Sequence, residues 1–245
     1  MATTQSSTTS SCSKKNWRGS SVRRIVVPEL LDTDTGTRQE VENSLTDLRM
    51  FNRLFGGIHT TSQVLRKIAR QCGLKKIVWL DVAGATGDVA ALTQRSLQDA
   101  GIESETVILD RMTAHMNGNF AAVCGDALSL PFADGSFDAA GCSLFAHHLE
   151  PEEIQRFARE GLRVARHAFF IHDLIRHPVH LALAYAGFPL YRSRITRHDA
   201  PASVRRAYTV SEMQTMLLAA GAGRIEIETH FLFRMGAIAW KPTTM

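Results

Sequence analysis

Asp81, Asp110 and Asp126 each close a short apolar run, and two adjacent imidazoles, His147 and His148, follow another. Carboxylates at successive strand ends suit a nucleoside with a cationic group attached, because they accept hydrogen bonds from hydroxyls and amines and attract positive charge. The first carboxylate has the most specific setting. Residues 77–88 read Ile-Val-Trp-Leu-Asp-Val-Ala-Gly-Ala-Thr-Gly-Asp: an apolar run, an acid, a turn of small residues and the start of a helical stretch. A strand, a tight turn and a helix N-terminus make a nucleotide-type site.

The ligand follows from charge. A dinucleotide would bring a pyrophosphate to this turn, and Asp81 would repel it. S-adenosylmethionine would bring an ammonium and a sulfonium, which Asp81 would attract. Ala83 and Ala85 occupy places where a pyrophosphate turn has glycines, so methyl groups are tolerated there; Gly84 and Gly87 keep the turn tight. Asp110, with Arg111 after it, ends the next strand, where an acid accepts from ribose hydroxyls. Asp126 in Gly125–Phe132 can accept from an adenine amino group, with Ala127, Leu128 and Leu130 beside it as an apolar wall.

On the acceptor side, Cys142-Ser143-Leu144-Phe145-Ala146-His147-His148 follows the fourth strand, whose end faces the ligand crevice. Ser143 is placed with the cofactor. A methyl group on a sulfonium is already activated, so transfer asks for alignment and, for a phenol, a base poised near neutrality. His147 or His148 fits that role. Asp173, in Ile171-His172-Asp173-Leu174, could orient a histidine or act as the base itself. No metal site is expected, because Cys12, Cys72, Cys124 and Cys142 form no CxxC pair.

The elements that position these residues alternate. Helical periodicity marks about Arg38 to Phe55, with Gly56-Gly57 as its stop, and Thr60 to Cys72. Strands are expected at Ile77–Val82, Glu105–Leu109, Phe120–Cys124, Phe137–Leu144 and His167–Ile171. Helices at Thr86–Ala100 and Pro151–Val164 lie between them. Such alternation means a parallel doubly wound α/β sheet. Residues 176–208 interrupt it with short helical pieces that hold Tyr185 and Tyr191; with Tyr208 these suit an aromatic pocket or core packing. Val210 to Ala220, with Ser211 as N-cap, and strands at Arg224–Thr229 and Phe231–Trp240 close the chain. The expected division is a basic Ser/Thr-rich disordered tail (1–24), an N-terminal helical lid (25–74) and a cofactor-binding domain (75–245) with a cap insert at 176–208.

The Leu80–Asp88, Gly125–Phe132 and Gly135–Asp138 segments closely resemble the class I S-adenosylmethionine-dependent methyltransferases, and among them the small-molecule branch that includes the ubiquinone/menaquinone C-methyltransferases. Ala85 departs from the family's usual glycine. The resemblance implies a Rossmann-like seven-stranded sheet with an antiparallel last strand. It also implies methyl transfer to a small molecule, such as a phenolic or polyketide-type hydroxyl or a ring carbon activated by one.

Composition agrees. The 245 residues are 44% hydrophobic with a net charge of +4, enough for one large domain and a tail. No apolar run approaches the roughly 20 residues of a membrane span. The N-terminal stretch lacks the apolar core of a secretory signal, so a cytoplasmic monomer or homodimer with reduced cysteines is expected. Nucleic acid is not an expected partner: the chain has no Pro-Pro for a base-amine motif and no basic stripe with interleaved aromatics. The alternatives are a non-catalytic partner protein on the same fold and an RNA or protein methyltransferase.

Overall fold

Ile77, Trp79, Leu80 and Val82 are almost wholly shielded from solvent, as a strand covered on both faces requires. They belong to β1 (Lys76–Val82), the centre of the computed structural model, which describes residues 22–33, 35–111 and 120–242. β1 pairs in parallel with β2 (Glu103–Asp110) on one side and β4 (Phe137–Ser143) on the other. β3 (Ala121–Cys124) extends the sheet beyond β2, and β5 (Ala165–Leu174) extends it beyond β4. β7 (Arg234–Trp240) runs antiparallel between β5 and β6 (Arg224–His230). The order is β3-β2-β1-β4-β5-β7-β6. The expected seven-stranded sheet with an antiparallel last strand is present. Strand order reverses between β1 and β4, so the ligand crevice lies outside their carboxyl ends.

Helices cover both faces. α1 (Arg38–Leu54) precedes α2 (Gly57–Gln71), which shares an apolar cluster with α3 (Asp88–Asp99): Leu65, Ile68 and Leu97 meet Trp79 and Phe170. On the other face α4 (Pro151–Val164) and α7 (Val210–Ala219) bury Ile154, Phe157, Met213 and Leu217 against β4, β5 and β7. Between β5 and α7 stand α5 (Pro178–Ala186) and α6 (Arg194–Arg206). α6 holds α1 through buried Asp47, whose Oδ2 accepts from Thr196 Oγ1 at 2.8 Å and from the Arg192 N–H at 2.9 Å. No described helix is long and apolar enough to cross a membrane.

Several expectations change. Residues 25–74 are not one lid: α2 is a core layer, with Val64, Leu65, Ile68 and Ala69 buried, and it begins directly at Gly57 after a left-handed Gly56. α1 packs instead on α2 and α6. The tail expected to end at residue 24 already engages the core at Val22, whose carbonyl accepts from Arg176 Nε, and at Arg24, which pairs with Glu150 at 2.8 Å. Residues 1–21, with Cys12, lie outside the described residues. The N-cap of α7 is Thr209, not Ser211: Thr209 Oγ1 accepts from the Glu212 N–H and Glu212 returns to the Thr209 N–H, a closed capping box. Tyr191 and Tyr208 are buried and donate to the Ala184 and Leu149 carbonyls, so core packing is their role. Cys142 is buried and Cys124 exposed.

α4 meets β5 at Gly161, where an added Cβ would stand 2.0 Å from Phe169 Cδ2. Phe169 is fully enclosed and packs edge-on to Phe157 at 4.8 Å, so it cannot yield. Gly161→Ala is expected to cost about 1–3 kcal/mol through overpacking, read as a lowered midpoint in urea unfolding followed by circular dichroism.

Candidate functional site

The turn after β1 is held in an unusual backbone shape. Ala83 has φ 58°, Ala85 φ 45° and Gly87 φ 74°. A left-handed alanine costs roughly 1–2 kcal/mol. The two alanines are therefore tolerated at a conformational cost, and hydrogen bonds impose it. The Ala83 N–H donates to the Leu109 carbonyl at 2.7 Å, the Gly87 N–H to the Gly84 carbonyl at 2.8 Å, and the Ala85 N–H to Asp110 Oδ2 at 2.9 Å. Gly84 is required for space: a Cβ there would stand 2.9 Å from Asp81 Oδ2 and 3.0 Å from Ile108. Asp110 thus already works on the protein, fixing the turn through one carboxylate oxygen.

Asp81 lies beneath this turn, 1% exposed. Among the described residues, its Oδ1 meets no hydrogen-bond donor. Burial, reinforced by the Asp110 charge, pushes its carboxyl up to about 7. A buried, unpartnered acid is costly. The same acid at the mouth of a strand–turn–helix site fits a ligand that brings an N–H donor and positive charge. Asp126 stands at the next strand end, exposed, with Oδ1 accepting from the Leu128 N–H at 2.9 Å. Ala127 and Leu130 are buried and Leu128 partly so, forming the apolar surface beside it. Arg111 is exposed and its carbonyl accepts from Cys124 Sγ.

A second cluster is built around Asp173, which lies inside β5 rather than beyond its end. Its Oδ1 meets His147 Nδ1 at 2.7 Å and accepts from the Leu174 N–H at 2.7 Å, while Oδ2 accepts from the His147 N–H at 2.8 Å. Hydrogen bonds and the facing imidazole hold Asp173 below the usual carboxylate range despite burial. The other ring nitrogen of His147, Nε2, faces Glu29 Oε1 at 3.5 Å. Burial alone would lower His147, but Asp173 and Glu29 win and raise it to about 10. The structure brings His147 and Asp173 together as a hydrogen-bonded pair. Only the Nδ1 side of the His147 ring is taken by Asp173. His148 is half-buried, with Nδ1 on Asp32 at 2.9 Å.

Ser143 shares a hydrogen bond of 2.9 Å with Thr61, which also reaches His172 Nδ1 at 3.0 Å. Glu29, Asp32 and Thr61 were invisible as site residues in the sequence. Their partners are distant (116 residues separate Asp32 from His148), and no motif links them.

Residues 79–168, which run from β1 into β5, match a family model described as a methyltransferase domain. Over these residues the chain is similar to a methyltransferase domain. The ubiquinone/menaquinone biosynthesis C-methyltransferase of Methylobacterium nodulans is 34% identical to the chain over 149 residues, 55% of this chain and 57% of that enzyme. The chain thus spans little more than half the length of the curated relative it matches. Two solved structures share the fold. A plantazolicin methyltransferase, crystallised with a desmethyl substrate analogue and S-adenosylhomocysteine, has a TM-score of 0.67 at 12% identity and covers 87% of this chain and 94% of its own. A SAM-dependent methyltransferase from Aquifex aeolicus has a TM-score of 0.51 at 18% identity, covering 71% of this chain and 88% of its own.

Buried Asp81 makes a stability prediction. Because the folded carboxyl titrates near 7 and an unfolded one near 3.8, the folded state holds the extra proton between these values. The ligand-free protein therefore loses stability as pH rises through that window. Asp81→Asn is expected to remove this dependence and to stabilise the ligand-free protein at pH about 8 by on the order of 2 kcal/mol. Urea unfolding of both proteins at pH about 5 and about 8 checks it.

Proposed function

We propose that this chain transfers a methyl group from S-adenosylmethionine to a small-molecule acceptor, a phenolic or polyketide-type hydroxyl or a ring carbon activated by one. The observation that carries the reading is Asp81, a buried carboxylate with an unpartnered oxygen under a strand–turn–helix of the methyltransferase domain. When bound, S-adenosylmethionine supplies a methyl group on a sulfonium, already activated for displacement. Asp81 holds the cationic amino-acid end. Asp110 shapes the turn with one oxygen and serves the ribose, and Ala83, Gly84, Ala85 and Gly87 set how closely the backbone approaches. Asp126, Ala127 and Arg111 border the adenine side, and Ser143 stands at the end of β4 between cofactor and acceptor.

The rest of the chain encloses the acceptor. α1 reaches the cofactor turn through Arg49, which pairs with Asp88 at 2.9 Å, and is the element that acts as a lid. α5 and α6, the 176–208 cap, bear on α1 and on the His147–His148 turn: Arg206 donates to the His148 carbonyl at 3.1 Å. The work of these groups is alignment and exclusion of water. A base is needed only where the acceptor hydroxyl arrives protonated.

Incubation with methyl-labelled S-adenosylmethionine and a panel of phenols and polyketide-type aromatics, read by product mass and position of the label, tests the proposal. Transfer to at least one such acceptor is expected. Asp81→Asn is expected to lower kcat/KM for the cofactor about 10–100-fold, the worth of a charge-assisted contact. Cofactor binding without transfer to any member of the panel would overturn the acceptor class. Transfer at full efficiency by Asp81→Asn would overturn the assigned site.

A further inference from the structure

We propose that Glu29, His147 and His148 form a site for one divalent metal ion of the zinc class. Glu29 comes from the N-terminal segment and the adjacent His147 and His148 from the turn after β4, and their ligating atoms all lie within 4.8 Å of one another. Glu29 Oε1 is 3.5 Å from His147 Nε2 and 4.0 Å from His148 Nε2. Zinc bonds of about 2.0–2.1 Å in a tetrahedron put neighbouring donors about 3.4 Å apart, so the first spacing needs almost no change and the second only a small rotation of an imidazole.

The outer contacts favour the same reading. A metal-ligating histidine characteristically gives its other ring N–H to a carboxylate, which fixes the tautomer and strengthens the ligand. Both histidines are arranged that way: His147 Nδ1 meets Asp173 at 2.7 Å and His148 Nδ1 meets Asp32 at 2.9 Å. Both Nε2 atoms then face one carboxylate oxygen, Glu29 Oε1, which Ser203 Oγ steadies at 2.8 Å. A protonated His147 would satisfy Glu29 without any ion. It would leave His148 Nε2 4.0 Å from that oxygen, beyond hydrogen-bond reach. A metal ion uses all three donors at once.

Two imidazoles and one carboxylate select zinc and its first-row neighbours over magnesium or calcium, which prefer oxygen donors. Glu29 and His147 are buried and His148 partly exposed, leaving the open side for a water or an acceptor oxygen as fourth ligand. Such an ion would clamp residues 22–33 onto the turn after β4, at the acceptor side of the crevice.

The test uses the full chain, stripped with a chelator and titrated with Zn²⁺ by calorimetry, with metal content measured after gel filtration. Co²⁺ serves as a visible-spectrum probe of imidazole coordination. One equivalent of Zn²⁺ is expected, binding with a gain in melting temperature. Glu29→Gln and His148→Ala should abolish it, and Asp32→Asn, which changes no ligand, should weaken it about 10–100-fold. His198→Ala, on α6, should leave it unchanged. Absence of stoichiometric Zn²⁺ binding would overturn the proposal, as would binding that survives both ligand variants. If a ligand variant fails to fold by circular dichroism, Asp32→Asn and the Co²⁺ spectrum of the parent decide. None of these readouts depends on methyl transfer or on cofactor binding.

Discussion

A carboxylate buried at the centre of a parallel sheet needs a counterpart, and Asp81 constrains everything around it. It sits at the carboxyl end of β1, where strand order reverses, 1% exposed and with one oxygen unpartnered. A neighbouring negative charge on Asp110 raises its cost further. The protein keeps both acids and shapes the turn between them with left-handed alanines, one of which Asp110 itself holds. A buried acid, backbone strain and a glycine under steric pressure at one strand end are the features that the proposed cofactor site rests on.

Around Asp173, by contrast, several ionisable groups are paired. Asp173 anchors the imidazole and the backbone of His147, Glu29 faces His147 from the N-terminal segment, and Asp32 takes His148. These contacts make residues 22–33 part of the wall. The Leu30 and Leu31 N–H groups donate to Asp199 on α6, and Arg24 reaches Glu150 and the Leu149 carbonyl. The N-terminal segment and α6 are thus tied to the turn after β4, and α1 is tied to α6.

The parts legible in the sequence are the local ones. An apolar run ending in Asp81, followed by small residues and a helix start, defines β1, the turn and α3 within twelve residues. Pro151 with two glutamates likewise fixes the start of α4. Role was harder to read than shape. The apolar stripe of α2 has the same periodicity whether the helix covers a core or serves as a lid, and only tertiary packing decides. Ala83 and Ala85 showed that methyl groups fit but not that φ is positive there. The histidine pair stood out, yet its state is set by Glu29, Asp32 and Asp173, which reach it from two other segments of the chain. His147 stands between two carboxylates, Asp173 and Glu29.

The central claim is that the charge on Asp81 binds the cationic end of S-adenosylmethionine, and calorimetric titration of the cofactor across pH measures it most directly. The account predicts that affinity strengthens as pH rises from about 6 to about 8, as the Asp81 carboxyl ionises, and that Asp81→Asn binds more weakly with that pH dependence flattened. Equally tight binding by Asp81→Asn with the same pH profile would contradict it.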